Sequence, residues 1–174
     1  MAYRHNQDTD GSCSRMGKEA EKRFVSILQE FSFLFEEATL AGQFQHRDFF
    51  VGLDASVDVK ARKRISRADS QAQDDLIWLE LRNGRGHKGW LDGKADWIAF
   101  ETLAGFTIFP RQALRDWAVS NTDTEKRVKT PSEAVGCLYI RGLAELTLAP
   151  INTLEADIPH FKINNYKKEQ TNNA

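Results

Sequence analysis

The chain has 174 residues, enough for one domain with a true hydrophobic core. It carries 24 Lys and Arg against 25 Asp and Glu, so it is no polycation, and any surface for nucleic acid must be local. Cys13 and Cys137 lack metal-type spacing and are too few for a disulfide framework; no apolar run approaches the roughly 20 residues of a membrane span, and the polar start has no apolar core of a signal peptide. The expectation is therefore a reduced, cytoplasmic protein (host-cell cytoplasm if phage-encoded) with no membrane partner.

In chain order, residues 1–14 are polar and expected to be loosely ordered, as is the tail from about 164 to 174. A single domain is expected to fill residues 1–174. Residues 16–36 predict an amphipathic helix, because Ala20, Phe24, Ile27, Leu28, Phe31 and Phe35 recur at helical spacing. Gly42 punctuates the segment after this helix. "DFFVGLDASVDVKARKR" predicts two short strands around a Gly-containing turn. In the second strand Val57, Val59 and Ala61 take one face, and Asp58, Lys60, Arg62 and Arg64 the other. "RADSQAQDD" reads as a polar loop, "LIWLELR" as a third strand and "NGRGHKG" as a basic Gly-rich loop. "ADWIAFE" predicts a fourth strand, "FTIFP" a fifth or its continuation, "RQALRDWAVSN" a short helix and "GCLYIRG" another strand; "LAELTLAP" is ambiguous. This order predicts a mixed α/β (α+β) domain around one sheet.

Asp48 and Asp58 lie ten residues apart across that turn. A hairpin centred near Leu53 makes them cross-strand neighbours. Opposed like charges destabilise a sheet, and a divalent cation between them reverses the sign. Lys60 shares the Asp58 face, where it can hold a phosphate, position a water or stabilise developing negative charge. Those are the parts that phosphodiester hydrolysis needs. Arg62, Lys63, Arg64 and Arg67 offer a cationic continuation, and Arg82, Arg85, His87 and Lys88 a second basic patch.

"RDF…VDVKARK" followed by "WLELRNGRGHKGWLDGKADWIAFE" resembles the PD-(D/E)XK nuclease superfamily, especially its small phage-type or Holliday-junction-resolvase-like members, over roughly residues 17–117. Asp48 matches the first aspartate, with Arg47 where the family name has proline, and Asp58-Val59-Lys60 matches the triplet. The resemblance implies a restriction-endonuclease-like core, with a central mixed sheet flanked by helices. It implies a Mg²⁺- or Mn²⁺-dependent endodeoxyribonuclease with Asp48, Asp58, Lys60 and Glu21 as catalytic residues. The metal would be held by Asp48, Asp58, Glu21 and the Val59 carbonyl. DNA would be met by Arg62, Lys63, Arg64, Arg67, Arg82, Arg85, Lys88 and Lys94. A homodimer would supply two sites for two strands.

Plainer readings stand beside these. Asp48 can be a turn residue and Asp58–Lys60 an ordinary same-face ion pair. Glu21 can be a solvated helix residue, with Glu19 as its rival, and Glu80 can turn to the site or pair with Arg82. Asp54 suits its turn and Asp96 a structural role, while Trp90 and Lys94 can line a DNA groove or pack. The basic patches can be solvated faces that protect strand edges. "HRD" at 46–48 is not a kinase loop, since Leu53 stands where asparagine is needed. "GRGHKG" lacks phosphate-loop spacing, and His5, His46, His87 and His160 lack zinc spacing. The alternative function is a catalytically silent nuclease-like module that binds DNA or regulates through protein contacts.

Overall fold

A computed structural model of the protein describes residues 12–52, 55–66 and 68–164. The expectations for residues 1–11, Leu53, Asp54, Arg67 and 165–174 lie outside the described residues.

Helix α1 (Ser12–Glu30) buries Ala20, Phe24, Ile27 and Leu28 on one stripe, as their spacing predicts. Its bounds differ from the expected 16–36. It starts within the lead expected to be loose, and it stops where Ser32 takes a left-handed φ of 55°. There the Phe33 N–H bonds the Leu28 carbonyl at 2.9 Å and the Ser32 N–H bonds Gln29 at 3.0 Å. Such a stop is usually filled by glycine; with serine in its place, the sequence carries no stop signal. Phe35 consequently belongs to strand β1 (Phe35–Glu37). Helix α2 (Leu40–Gln43) is one turn, and Gly42 lies inside it, donating its N–H to Thr39 Oγ1.

Strands β2 (Phe49–Val51) and β3 (Ala55–Lys60) form the expected hairpin, with Phe49 opposite Val57 and Val51 opposite Ala55. β4 (Leu76–Arg82) is followed by a short 3₁₀ turn (Trp90–Asp92), then β5 (Trp97–Glu101) and β6 (Gly105–Pro110). β6 is a strand of its own, antiparallel to β5. α3 (Arg111–Asn121), β7 (Asp123–Val128) and β8 (Cys137–Arg141) come next. "LAELTLAP" resolves as β9 (Ala144–Pro150), and α4 (Ile151–Asp157) and β10 (Phe161–Asn164) close the described chain. The class is mixed α+β. No helix among the described residues is long and apolar enough to cross a membrane.

The expectation of one sheet is corrected to two. The first runs β1-β2-β3-β5-β6-β10, with β3 and β5 parallel; the second runs β4-β9-β8-β7. β4 leaves its sequence neighbours because its partner is β9, from Leu76 opposite Pro150 to Arg82 opposite Glu145. The two faces of the first sheet have different cores. Val57, Val59, Ala99, Phe106 and Ile108 pack on α1. Ile98, Phe100 and Phe109 pack instead with Ile77 and Leu79 of β4, Trp90, and Leu114 and Leu154 of α3 and α4. Side chains alternate along β3, so burying Val57 and Val59 under α1 turns Asp58 and Lys60 toward the second sheet.

Candidate active site

β3 delivers Asp58 into the space between the layers, where it is only 2 % exposed. Lys60 Nζ meets its Oδ1 at 2.6 Å. The same ammonium lies 5.3 Å from the centroid of the buried Trp90 ring, which stands edge-on to Phe100. Trp90 is therefore core that offers its π-face to Lys60. Arg111 of α3 secures this floor by donating to the Leu91 and Ala95 carbonyls at 2.6 and 2.7 Å.

Asp48 sits one residue before β2. Its N–H bonds the Val57 carbonyl and its Oδ2 accepts the Val59 N–H, both at 2.7 Å. The carboxylate thus replaces the strand where the ladder ends. The N–H and C=O of a strand residue leave by the same edge, so the Val59 carbonyl also faces the Asp48 side. The register brings Asp48 and Asp58 together as expected; the charge of Asp58 raises the pKa of Asp48, while a side-chain interaction with Asp48 lowers that of Asp58. Burial, then Asp58, pushes the Asp48 carboxyl up to about 6, against the Val59 N–H and Lys60. Burial also raises Asp58, while Lys60 opposes it. Asp58 Oδ2 is buried without a hydrogen-bond partner. A carboxylate cannot donate to a carboxylate, so Oδ2 and Asp48 need a proton or a cation between them.

Glu21 is half-buried on α1. Burial and then the charge of Asp48 raise its pKa, with Lys60 acting the other way, which places it beside the site. Glu19 is exposed and pairs with Lys22 at 2.8 Å, away from it. Glu80 does not take Arg82 as its partner, since Arg82 pairs with Glu145 at 3.4 Å. Instead its charge reaches His46, a residue that carries no motif in the sequence. His46 Nδ1 lies 4.0 Å from Asp58 Oδ2, and burial, then Lys60, lower its pKa. The only signal in the sequence was its place two residues before Asp48.

The cationic track is corrected in part. β3 ends at Lys60, so strand alternation does not carry Arg62 and Arg64 outward. Arg62 is half-buried and committed to Asp74 at 2.5 Å and the Ala72 carbonyl at 3.2 Å. Arg64 donates to the Asp69 carbonyl, and Arg82, besides Glu145, to Gly86. Lys63, Arg85, Lys88 and Lys94 are exposed. His87 is exposed in the same loop as Arg85 and Lys88. Asp96 is structural: burial works to raise its pKa, but hydrogen bonds from the Ser56 hydroxyl and N–H, with Arg47 and Arg111, hold it low.

Among the described residues no group of three or more His, Cys, Asp or Glu side chains could hold a metal ion. An open set still fits a hard dication, since Mg²⁺ is commonly held by one or two carboxylates and keeps several waters. The orphaned Asp58 Oδ2, Asp48 and the Val59 carbonyl are such a set. No protein-family model, curated protein or solved structure matches the chain.

Proposed function

We propose that the protein is a metal-dependent endodeoxyribonuclease of the PD-(D/E)XK type. The observation that carries this reading is the buried Asp48–Asp58 pair, with one Asp58 oxygen on Lys60 and the other without a partner. Asp48, Asp58 and the Val59 carbonyl would hold Mg²⁺ or Mn²⁺, with Glu21 at the margin. Bound there, the cation supplies Lewis-acid polarisation of the scissile phosphate. Lys60, fixed by Asp58 and Trp90, orients the attacking water and stabilises charge developing at phosphorus. Asp48 and Glu21, both with raised pKa, would be the carboxylates available to take a proton from that water. Lys63, Arg85, Lys88 and Lys94 would meet the DNA backbone, and a homodimer would present two sites to two strands.

A second reading has its own observation. Lys60 already neutralises Asp58, and Arg62 is committed to Asp74, so the cluster can serve as a buried structural ion pair in a DNA- or protein-binding module that does not cut. Cleavage of supercoiled, linear, single-stranded and four-way-junction DNA with Mg²⁺ or Mn²⁺ decides between them. Truncating Lys60 alone would strand a buried carboxylate, at a cost of about 3–5 kcal/mol. The informative variants are therefore Asp48→Asn and the double substitution Asp58→Asn/Lys60→Met. Both are expected to stay folded and lose cutting. A parent that cuts none of these substrates, or variants that cut as well as the parent, would overturn the nuclease reading.

A further inference from the structure

We propose that Phe44 and Leu40, on the helical turn that leads into Asp48, form an apolar tip on which a base of branched or single-stranded DNA stacks. The site then favours DNA with bases outside the duplex over continuous duplex. The proposal rests on the nuclease reading for DNA as the partner and adds to it the class of DNA.

Three observations meet at this turn. The first is exposure. Phe44 is 79 % exposed and Leu40 68 %. Leu40 begins α2 and Phe44, still helical in backbone, caps its end. Residues four apart on a helix share a face, so the two side chains lie together. α2 has no buried residue of its own. One exposed apolar side chain is ordinary, but two side by side on a turn that adds nothing to the core make a patch.

The second is rigidity. Thr39 Oγ1 accepts the Gly42 N–H at 3.3 Å at the start of the turn, and the Phe44 N–H bonds the Leu40 carbonyl at 3.1 Å at its end. The Gly42 carbonyl accepts the Gln45 and Arg47 N–H groups at 2.8 and 3.1 Å, and the Gln45 carbonyl accepts the Lys94 N–H at 2.9 Å. His46 then turns the chain back with a φ of 59°, a left-handed conformation uncommon for a residue with a side chain. Gly93 closes against it so tightly that a Cβ there would stand 2.9 Å from His46 Cβ. Phe44 is therefore presented from a fixed support, and a support already ordered loses little freedom on binding.

The third is position and charge. His46 Nδ1 lies 4.0 Å from Asp58 Oδ2, and Phe44 is two residues from His46. Two residues span at most about 7 Å, which puts the Phe44 Cα within roughly 15 Å of that oxygen, about the length of four stacked nucleotides. Lys94, whose N–H holds Gln45, is exposed next to the same turn. An apolar tip beside a cation complements a nucleotide, which joins a π-face to a phosphate; a wholly apolar partner leaves the cation unanswered. In continuous duplex both faces of each base are already stacked, and freeing one costs an opened step. A branch or a single strand offers a free face, so the contact selects such DNA.

The test uses the full chain in chelator, so that binding is read without cutting. Fluorescence anisotropy compares a forked duplex, a single strand and a continuous duplex of equal length. The parent should bind the fork and the single strand more tightly than the duplex. Phe44→Ala should lose about tenfold on the first two and little on the duplex, as the loss of one base–aromatic stack requires. Phe44→Trp should keep the parental preference, and Phe44→Leu, apolar without a ring, should not. The side chain is exposed, so these variants keep the fold. Equal losses on all three DNAs, or a Phe44→Ala protein with the parental preference, overturn the proposal. So does a Leu40→Ala/Phe44→Ala protein that turns a dimer into a monomer in sedimentation equilibrium with fork binding unaltered, which makes the patch a face for a second copy. A parent that shows the preference but cuts none of these DNAs with Mg²⁺ or Mn²⁺ upholds the stacking tip and overturns the nuclease reading. One that cuts while Phe44→Ala changes nothing overturns the tip alone, and one that binds no DNA overturns both.

Discussion

Asp48 and Asp58 are both acidic, both pressed into a half-dry space, and only one of them has a cation. Lys60 lies against Asp58, so in the metal-free chain Asp48 is the member that holds a proton, up to about pH 6 against an ordinary 3.8. Its folded pKa lies above its unfolded one, so the folded chain binds the extra proton. The stability this contributes is fully present below about pH 3.8 and is lost as pH rises through about 6. Thermal melts in chelator should therefore show Asp48→Asn more stable than the parent at about pH 7.5, the gap closing by about pH 4. If Asp48 holds a metal as proposed, saturating Mn²⁺ should reverse the order at the higher pH, because the variant would bind it less well. Identical pH profiles for the two proteins would show that Asp48 carries no such strain. Its pairing with Asp58 was legible from the spacing about the turn. Asp58 Oδ2 being without a donor was not, since that depends on every group around it.

The elements that hold these residues depend on close approaches as much as on periodicity. Gly89 lies so near β4 that a Cβ on it would stand 2.2 Å from the Glu80 carbonyl oxygen. Its N–H bonds the Leu81 carbonyl at 2.9 Å. It sets where Trp90 begins, and Trp90 sets the floor beneath Lys60. Gly89→Ala must push the 3₁₀ turn off β4. A loss of about 1–3 kcal/mol is expected in urea unfolding, the range of an overpacked core. On the nuclease reading, cleavage should also fall further than stability alone accounts for; unchanged stability would show that the turn gives way freely. The stripe of α1, the β2–β3 hairpin and strands β4, β5 and β8 were legible from period and turn residues. The end of α1 was not, because a serine occupies its left-handed stop. β7 was not either: its run "DTEKRV" is polar throughout, and pairing with β8 alone makes it a strand.

At the scale of the whole molecule, near-neutral charge leaves little electrostatic attraction to DNA beyond what exposed cations gather locally. Several arginines that looked available are committed elsewhere: Arg62 to Asp74, Arg82 to Glu145. The loop after β4 keeps Arg85 and Lys88 exposed. If that loop meets the phosphate backbone, reversing both charges (Arg85→Glu/Lys88→Glu) should weaken binding to any DNA sequence. It should also reduce the dependence of log affinity on log salt by about 2. Fluorescence anisotropy across a salt series measures both, and an unaltered slope would move the DNA to another face.

Sequence alone determined which residue types lie near one another along the chain. Alternation put Asp58 and Lys60 on one face of a strand, the Gly-containing turn set Asp48 against them, and helical spacing gave α1 its buried stripe. Only the tertiary structure decided what those residues face. A second sheet, paired through β9 from the far end of the chain, closes over Asp58 and turns an exposed-looking ion pair into a buried one. The same closure brings in His46, Glu80 and Trp90. Local patterns encode which way a side chain points, whereas burial and partnership come from segments that no local pattern relates.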